Sequence, residues 1–387
     1  MNRNLILIIP LALLVNLLSG CKGTRESGDS AGSTSPETEF IEDSLNYARS
    51  MKLRESVLNS VTPDAETYPV NAGAYEDSAD DPAWFTVKDD PERVIIAGSN
   101  KIGGIHFYDI DGDTLAFYKV GRINNIDART VITDENDTAT ILAGSNRDNN
   151  SILVFTPASF RDSIAPEFYD ITTTLNDVYG LCLYHSGLTC DLYAFVNSKD
   201  GTIEQYRLDI KNNKIRGTVV RKMSVKTQPE GMVADDRTAT LYVGEEDKGI
   251  HIFNAEPDGG TRSTTMYGSK TTEPYIIPDI EGLALFKTGT DAGFLVASIQ
   301  GNFSYAVFDL TSRSYITSFK IEGTDPDGVE ETDGIDIIDS HISSQYPEGV
   351  LIVQDGYNTS GGRSEAQNFK IIDWRKISKF LPAPVTE

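Results

Sequence analysis

The sequence is short of the side chains on which most enzymes build their chemistry. It holds four histidines and three cysteines in 387 residues. His106, His185, His251 and His341 stand in no RHG-type phosphatase motif, no zinc-binding HExxH pair and near no serine elbow. There is no Walker-type loop and no GxGxxG opening a helix. These absences exclude the common nucleotide, zinc and serine chemistries. They leave metal chemistry through oxygen ligands. Positive charge is scarce as well, with 34 Lys and Arg against 58 Asp and Glu and a net charge of −24. Nothing offsets repulsion by a phosphate backbone, so nucleic-acid binding is excluded. An anionic substrate would need cations between it and the protein.

What the chain does have is a repeat, centred on QPEGMVADDRTATLYVGEED from Gln228 to Asp247. Two β-type runs flank a turn at Asp235, Asp236 and Arg237, which is a hairpin pattern. A carboxylate opens the first strand and three consecutive acids, Glu245, Glu246 and Asp247, close the second. The first strand recurs as DDPAWFTV, NNIDARTV, DVYGLCLY, DIEGLALF and TDGIDII. Aligned on one polar residue, the series reads Asp81, Asp127, Tyr179, Glu230, Glu281, Asp333, with spacings of 46, 52, 51, 51 and 52. Six units of three or four short strands predict an all-β, six-bladed β-propeller.

In a propeller the first strand of each blade lines the central channel, so the aligned residues form a ring. Five of the six are carboxylates and the sixth is Tyr179. The ends of the second strands form a wider ring on the same face. Units one to three place Lys101, Arg147 and Lys199 there. Units four to six place Glu245, Glu246, Asp247, Gln300, Asn302, Gln354 and Asp355 there. A face basic on one half and acidic on the other suits a polyanion held directly by Lys and Arg and through divalent cations by the acids.

Outside the repeat, residues 1–20 read as a secretion signal, with Arg3 in the n-region and an apolar core from Leu5 to Leu18. LLSGC at 17–21 resembles a bacterial lipobox with the lipid on Cys21. The apolar run is too short for a comfortable membrane span. A lipoprotein of the cell envelope is therefore expected, membrane-bound through its lipid alone. Residues 21–62 are expected to be a flexible or helical tether, most simply an exposed stalk. The propeller is expected over 63–384. The run Thr67 to Val70 is expected to add an outer strand to the last blade and latch the ring. Cys182 and Cys190 flank the turn HSGLT and either close a disulfide or remain as two thiols.

The chain resembles the β-propeller phytases, secreted calcium-dependent phosphatases of inositol hexakisphosphate. The resemblance covers about residues 64–378. It rests on AETYPV, DDPAWF, SNKIGGIHFYDIDG, VGRINNIDAR, GSNR, VYGLCLYHS, IEQYRL, PEGM, YVGEEDKGIHIFNAEPDGG, PDIEGL, SIQGNFSYAVF, ETDGIDII, VQDGYN and QNFKIIDW. It implies a 3-phytase: a phosphoric monoester hydrolase with several Ca²⁺ ions over the channel mouth and a metal-activated water. It implies calcium ligands at Glu66, Asp80, Asp81, Asn125, Asp127, Glu230, Glu245, Glu246, Asp279, Glu281, Gln300 and Asp333. It implies phosphate contacts from Lys101, Arg147, Tyr179 and Lys199. The expected partner is phytate with Ca²⁺, taken up by a monomer. Two departures stand out: Ile102 follows Lys101 where the family often has a second Lys, and the segment 71–79 is longer. A different calcium-dependent propeller hydrolase is argued against by Lys101, Arg147 and Lys199. A non-catalytic binding propeller would show no turnover.

Overall fold

A computed structural model of the chain describes residues 36–88, 90–132, 138–157, 166–211 and 214–382, with side chains from residue 44 onward. The expected signal and lipobox lie outside the described residues. The chain divides into two compact units, residues 1–46 and 47–387. In the first, the described residues 36–46 are helical, the opening of Pro36–Arg54. No described helix is long and apolar enough to cross a membrane.

The second unit is a six-bladed propeller. Blades 1 to 5 begin with the strands Ala79–Val87, Ile123–Ile132, Val178–His185, Pro229–Asp235 and Ile280–Thr288, and blade 6 begins with Ile335–Ile338. Each is followed by antiparallel neighbours in chain order, so the innermost strand of every blade is its first. The innermost strands succeed one another round the channel, and that of blade 6 returns to that of blade 1.

Six buried apolar clusters hold the ring, one at each seam between neighbouring blades. Ala83, Ala97, Phe107, Ile126 and Leu153 fill the seam between blades 1 and 2; Val296, Phe319, Ile335 and Leu351 fill that between 5 and 6. Both faces of each sheet are covered, which explains why second strands such as Val350–Asp355 are buried throughout. Nearest-neighbour packing lets more than 300 residues fold without one oversized core.

The latch is present and starts earlier than Thr67. Ala65–Glu66 pairs with the third strand of blade 6, Asn368–Asp373, and the Thr67 and Val70 amides continue the contact to the Phe369 and Gln367 carbonyls. Residues 59–61, expected in the tether, are instead a strand: Asn59–Val61 lies parallel to the outer strand of blade 5. Arg54 is buried as well. Folded structure therefore begins before residue 63, and the exposed-stalk reading fails for residues 47–62. Cys182 is buried against the blade 4 seam while Cys190 is exposed in the turn, and both are free thiols.

A candidate active site at the channel mouth

Every innermost strand in blades 1 to 5 opens with the same irregularity. Pairing with the second strand breaks between Ala79 and Pro82, Ile123 and Ile126, Val178 and Leu181, Pro229 and Met232, and Ile280 and Leu283. Two residues bulge out in each case, a device that re-aims side chains at a strand end. The bulged pairs are Asp80-Asp81, Asn124-Asn125, Tyr179-Gly180, Glu230-Gly231 and Glu281-Gly282. Asp333-Gly334 takes the same place in blade 6, just ahead of Ile335–Ile338. Glycine at the second position is a matter of space. A Cβ on Gly180 would lie 1.9 Å from the Glu230 carbonyl oxygen, and one on Gly231 would lie 2.0 Å from that of Glu281.

The true ring is therefore Asp80, Asn124, Tyr179, Glu230, Glu281 and Asp333. This corrects the sequence alignment at two blades. Asp81 is the second bulge residue, and its carboxylate accepts from the Ile126 amide at 3.0 Å. Asp127 lies deeper in the channel, ion-paired to Arg129 at 2.6 Å and accepting from the Leu183 amide at 2.8 Å. Asn124 replaces it at the mouth. Asn124 Nδ2 donates to Glu230 Oε1 at 2.7 Å and to Asn125 Oδ1 at 3.0 Å, and Arg147 Nη1 donates to Asn124 Oδ1 at 3.3 Å.

On the acidic side, Glu230, Glu246 and Glu281 each offer one oxygen, all within 4.8 Å of one another. Glu281 Oε2 and both carboxylate oxygens of Asp80 are buried without a hydrogen-bond donor. Such groups are costly unless neutralised by a proton or a cation. Burial, reinforced by Glu230, raises Glu281 well above the carboxylate range. Burial also raises Asp80, with Lys101 opposing. Burial, then the charges of Glu230 and Asp279, push Glu246 up to about 8 against a bond from Gln228. Asp279, half-buried beside them, is raised by burial, Asp247 and Glu230.

Lys101 lies between the acids of blades 1 and 6. Its ammonium is 2.7 Å from Asp333, 2.5 Å from Asp77 and 3.6 Å from Asp80. Burial works to lower its pKa, but these three charges overrule it. Gln300 Nε2 donates to the other Asp333 oxygen at 2.6 Å, and the Asp333 amide donates to Gln354 at 2.9 Å. Burial raises Asp333 to about 7 even with Lys101 beside it.

The basic side is built on an aromatic ring. Lys199 Nζ sits 4.2 Å from the centroid of Tyr179, and the Arg147 guanidinium 5.6 Å. Among the described residues, neither cation has a carboxylate ion-pair partner. Burial, then Glu230 and Glu281, keeps the Tyr179 hydroxyl protonated.

Two further expected ligands are elsewhere. The Glu245 carboxylate turns away from the ring, taking bonds from Thr227 and Lys226 amides and standing 2.6 Å from His251 Nε2. Glu66, on the outer strand of blade 6, is held by the ammonium of Lys370 and by Asn368. Lys370, fully buried, also lies 2.5 Å from Asp327, 3.2 Å from Asp355 and 2.9 Å from Asn358 Oδ1. Asn124, Gln228 and Asp77 were missed by the sequence reading. The strand bulge reveals Asn124, the hydrogen bond to Glu246 reveals Gln228, and the ion pair with Lys101 reveals Asp77.

A family model described as Phytase matches residues 40–384, nearly the whole described chain. The chain belongs to the phytase family. A 3-phytase of Bacillus subtilis (strain 168) is 38% identical over 329 residues, 83% of this chain and 85% of that one. The solved β-propeller domain of Myceliophteria thermophila Cps50 (Swd1) covers 76% of this chain and 83% of its own at 9% identity and a TM-score of 0.44. That likeness is too distant to add to the strand order. The closely grouped carboxylates suit a cation.

The raised carboxylates set an expected pH dependence for the protein without added cations. A group whose pKa is higher folded than unfolded contributes stability below its unfolded pKa, and that contribution is lost as pH rises through the folded pKa. Glu246 moves from 4.5 to about 8 and Asp333 from 3.8 to about 7. Thermal melts in chelator are expected to fall steadily between about pH 4 and pH 8. A flat profile over that range would mean the carboxylates are not crowded as described.

Proposed function

We propose that this phytase hydrolyses phosphomonoesters of myo-inositol hexakisphosphate, with calcium ions shared between the substrate and the acidic half of the ring. The single observation that carries the reading is the ring itself, in which crowded, donor-poor carboxylates stand in one circle with Lys101, Arg147 and Lys199.

Residues present fit a hard divalent cation. Glu230, Glu246 and Glu281 would hold it by their grouped oxygens, and Asp80 has two more without donors. When bound, such an ion neutralises phosphate charge and lowers the pKa of water. Everything else falls to the protein. Arg147 and Lys199 bind phosphate oxygens from above Tyr179, whose ring keeps them apart from the acids. Its protonated hydroxyl is an additional donor. Lys101, pinned by Asp333, presents a third cation at the blade 1 edge. Asn124 fixes Glu230 by donating to it. Water displaces the inositol oxygen at phosphorus, a new P–O bond replacing the ester bond. The leaving alkoxide takes up a proton given up by the attacking water, so that inositol hydroxyl and inorganic phosphate are released together. Charge balance of this kind needs no covalent enzyme intermediate.

We also infer an envelope lipoprotein anchored through Cys21, on the lipobox and the short apolar run. Metabolic labelling with a fatty acid, lost in Cys21→Ala, tests it.

The activity test is phosphate release from phytate at neutral pH. Release is expected with calcium, lost in excess chelator and restored by calcium. Folded protein that releases nothing at any calcium concentration would overturn the reading and leave a propeller that only binds.

A further inference from the structure

The ring of sheets is complete without residues 47–58, yet these residues grip both loops that converge on Asp333. Tyr47 stands 5.0 Å, edge-on, from Tyr357 and 5.7 Å from Phe303, ring centroid to centroid. Phe303 closes the turn Gln300–Asn302 in a left-handed conformation, φ 50°, its amide donating to the Gln300 carbonyl at 3.1 Å. Gln300 is the residue that holds one Asp333 oxygen. The second grip is Arg54, 5% exposed. It donates to Glu330 at 2.7 Å and to the Ile321 carbonyl. Glu330 stands three residues before Asp333, and its carbonyl accepts from the Gly356 amide at 2.9 Å. The strap is fastened at its end by Asn59–Val61 and by the Glu322 amide on the Val61 carbonyl at 2.9 Å.

We propose that Tyr47 and Arg54 are positioning residues for the substrate site, fixing Asp333 from two sides and, through it, the Lys101 ammonium. The inference rests on the ring being the phytate site. Gln300 and Lys101 take the two oxygens of one carboxylate, so a shift of either loop turns that carboxylate and moves the cation with it. A binding group displaced by a fraction of an ångström loses substrate affinity before it loses turnover, provided the displaced contact is alike in ground and transition state.

The experiment compares full-length Tyr47→Ala, Tyr47→Phe, Lys101→Met and Ile215→Ala. Ile215 is buried in blade 3, away from the strap, and controls for loss of stability. Steady-state kinetics with phytate are paired with calorimetric binding of myo-inositol hexasulfate, both in calcium. For Tyr47→Ala, KM and the hexasulfate Kd are expected to rise roughly 3- to 10-fold with kcat within about 2-fold. Tyr47→Phe keeps the ring contacts and is expected to match the wild type. Ile215→Ala is expected to lower Tm without moving KM. If Tyr47→Ala does not fold, Phe303→Leu asks the same question from the other side of the contact. Unchanged KM and Kd in Tyr47→Ala, with Lys101→Met impaired, overturns the strap proposal alone. Unchanged KM in Lys101→Met as well removes the ring as the substrate site, and the proposal falls with it.

Discussion

Glu230→Gln is expected to lower kcat/KM for phytate by roughly 100-fold or more, the loss that the proposed role of Glu230 as a cation ligand requires. The same variant is expected to melt higher than the wild type in chelator. Both follow from one geometry. Glu230 contributes an oxygen to a group of three within 4.8 Å and is itself 3% exposed. Glutamine keeps the shape, and its carbonyl oxygen still accepts from Asn124. What it removes is one of several like charges held out of water, so repulsion on Glu246 and Glu281 falls. An uncharged ligand also holds a divalent cation less well. Site residues that cost stability are a familiar trade-off. Steady-state kinetics in calcium and thermal melts in chelator check the pair. Wild-type kcat/KM in the variant would remove Glu230 from the site. Reduced kcat/KM with reduced Tm would mean that it serves mainly as a structural group.

Lys370→Met is the largest expected loss of stability. Lys370 is the only cation among the described residues within ion-pair reach of Glu66, Asp327 and Asp355 together. Breaking a buried pair by removing one partner costs about 3–5 kcal/mol, because the other charge stays behind. For a domain of this size that is a fall in Tm on the order of 5–10 °C. Burial already holds Asp355 at about 7 with Lys370 beside it. Without the ammonium its pKa rises further, so the deficit is expected to shrink as pH falls and the carboxyl protonates. Lys370→Met/Asp355→Asn is expected to recover part of the loss. A double variant no more stable than the single at neutral pH would show that Lys370 matters for packing rather than for charge.

The blades were legible in the sequence because each repeats a strand pattern at about fifty residues, and seam packing demands apolar residues in the same phase. The ring's phase was only partly legible. From blade 3 onward each ring residue is followed by glycine, as in Tyr179-Gly180, Glu230-Gly231, Glu281-Gly282 and Asp333-Gly334, and the alignment held there. In blades 1 and 2 that glycine is replaced by Asp81 and Asn125, and a search for acids slid to Asp81 and Asp127. A bulge adds residues without adding ladder pairs, so counting along the chain cannot locate it. The run Glu245 to Asp247 was legible only in part, for another reason. Glu245 is the last residue of its strand, Thr240–Glu245, and its carboxylate goes to His251, whereas Glu246 opens the turn that follows and joins Glu230 and Glu281. The Lys370 cage joins residues some 300 positions apart, and no local pattern announces it.

The last blade has a consequence for how the molecule is made. Its outer strand comes from residues 65–66 and its other strands from 335–373. A chain emerging from the ribosome or crossing a membrane N-terminus first can assemble blades 1 to 5 as they arrive. Its latch strand has to wait unpaired until the last sixth of the sequence appears. The final step is a closure between distant ends, the slow kind of contact to form. Until then the seams on either side of blade 6 stand open, with Ile96 and Tyr108 on one flank and Val296 and Phe319 on the other. The protein is thus most exposed to aggregation and proteolysis immediately before it becomes a ring.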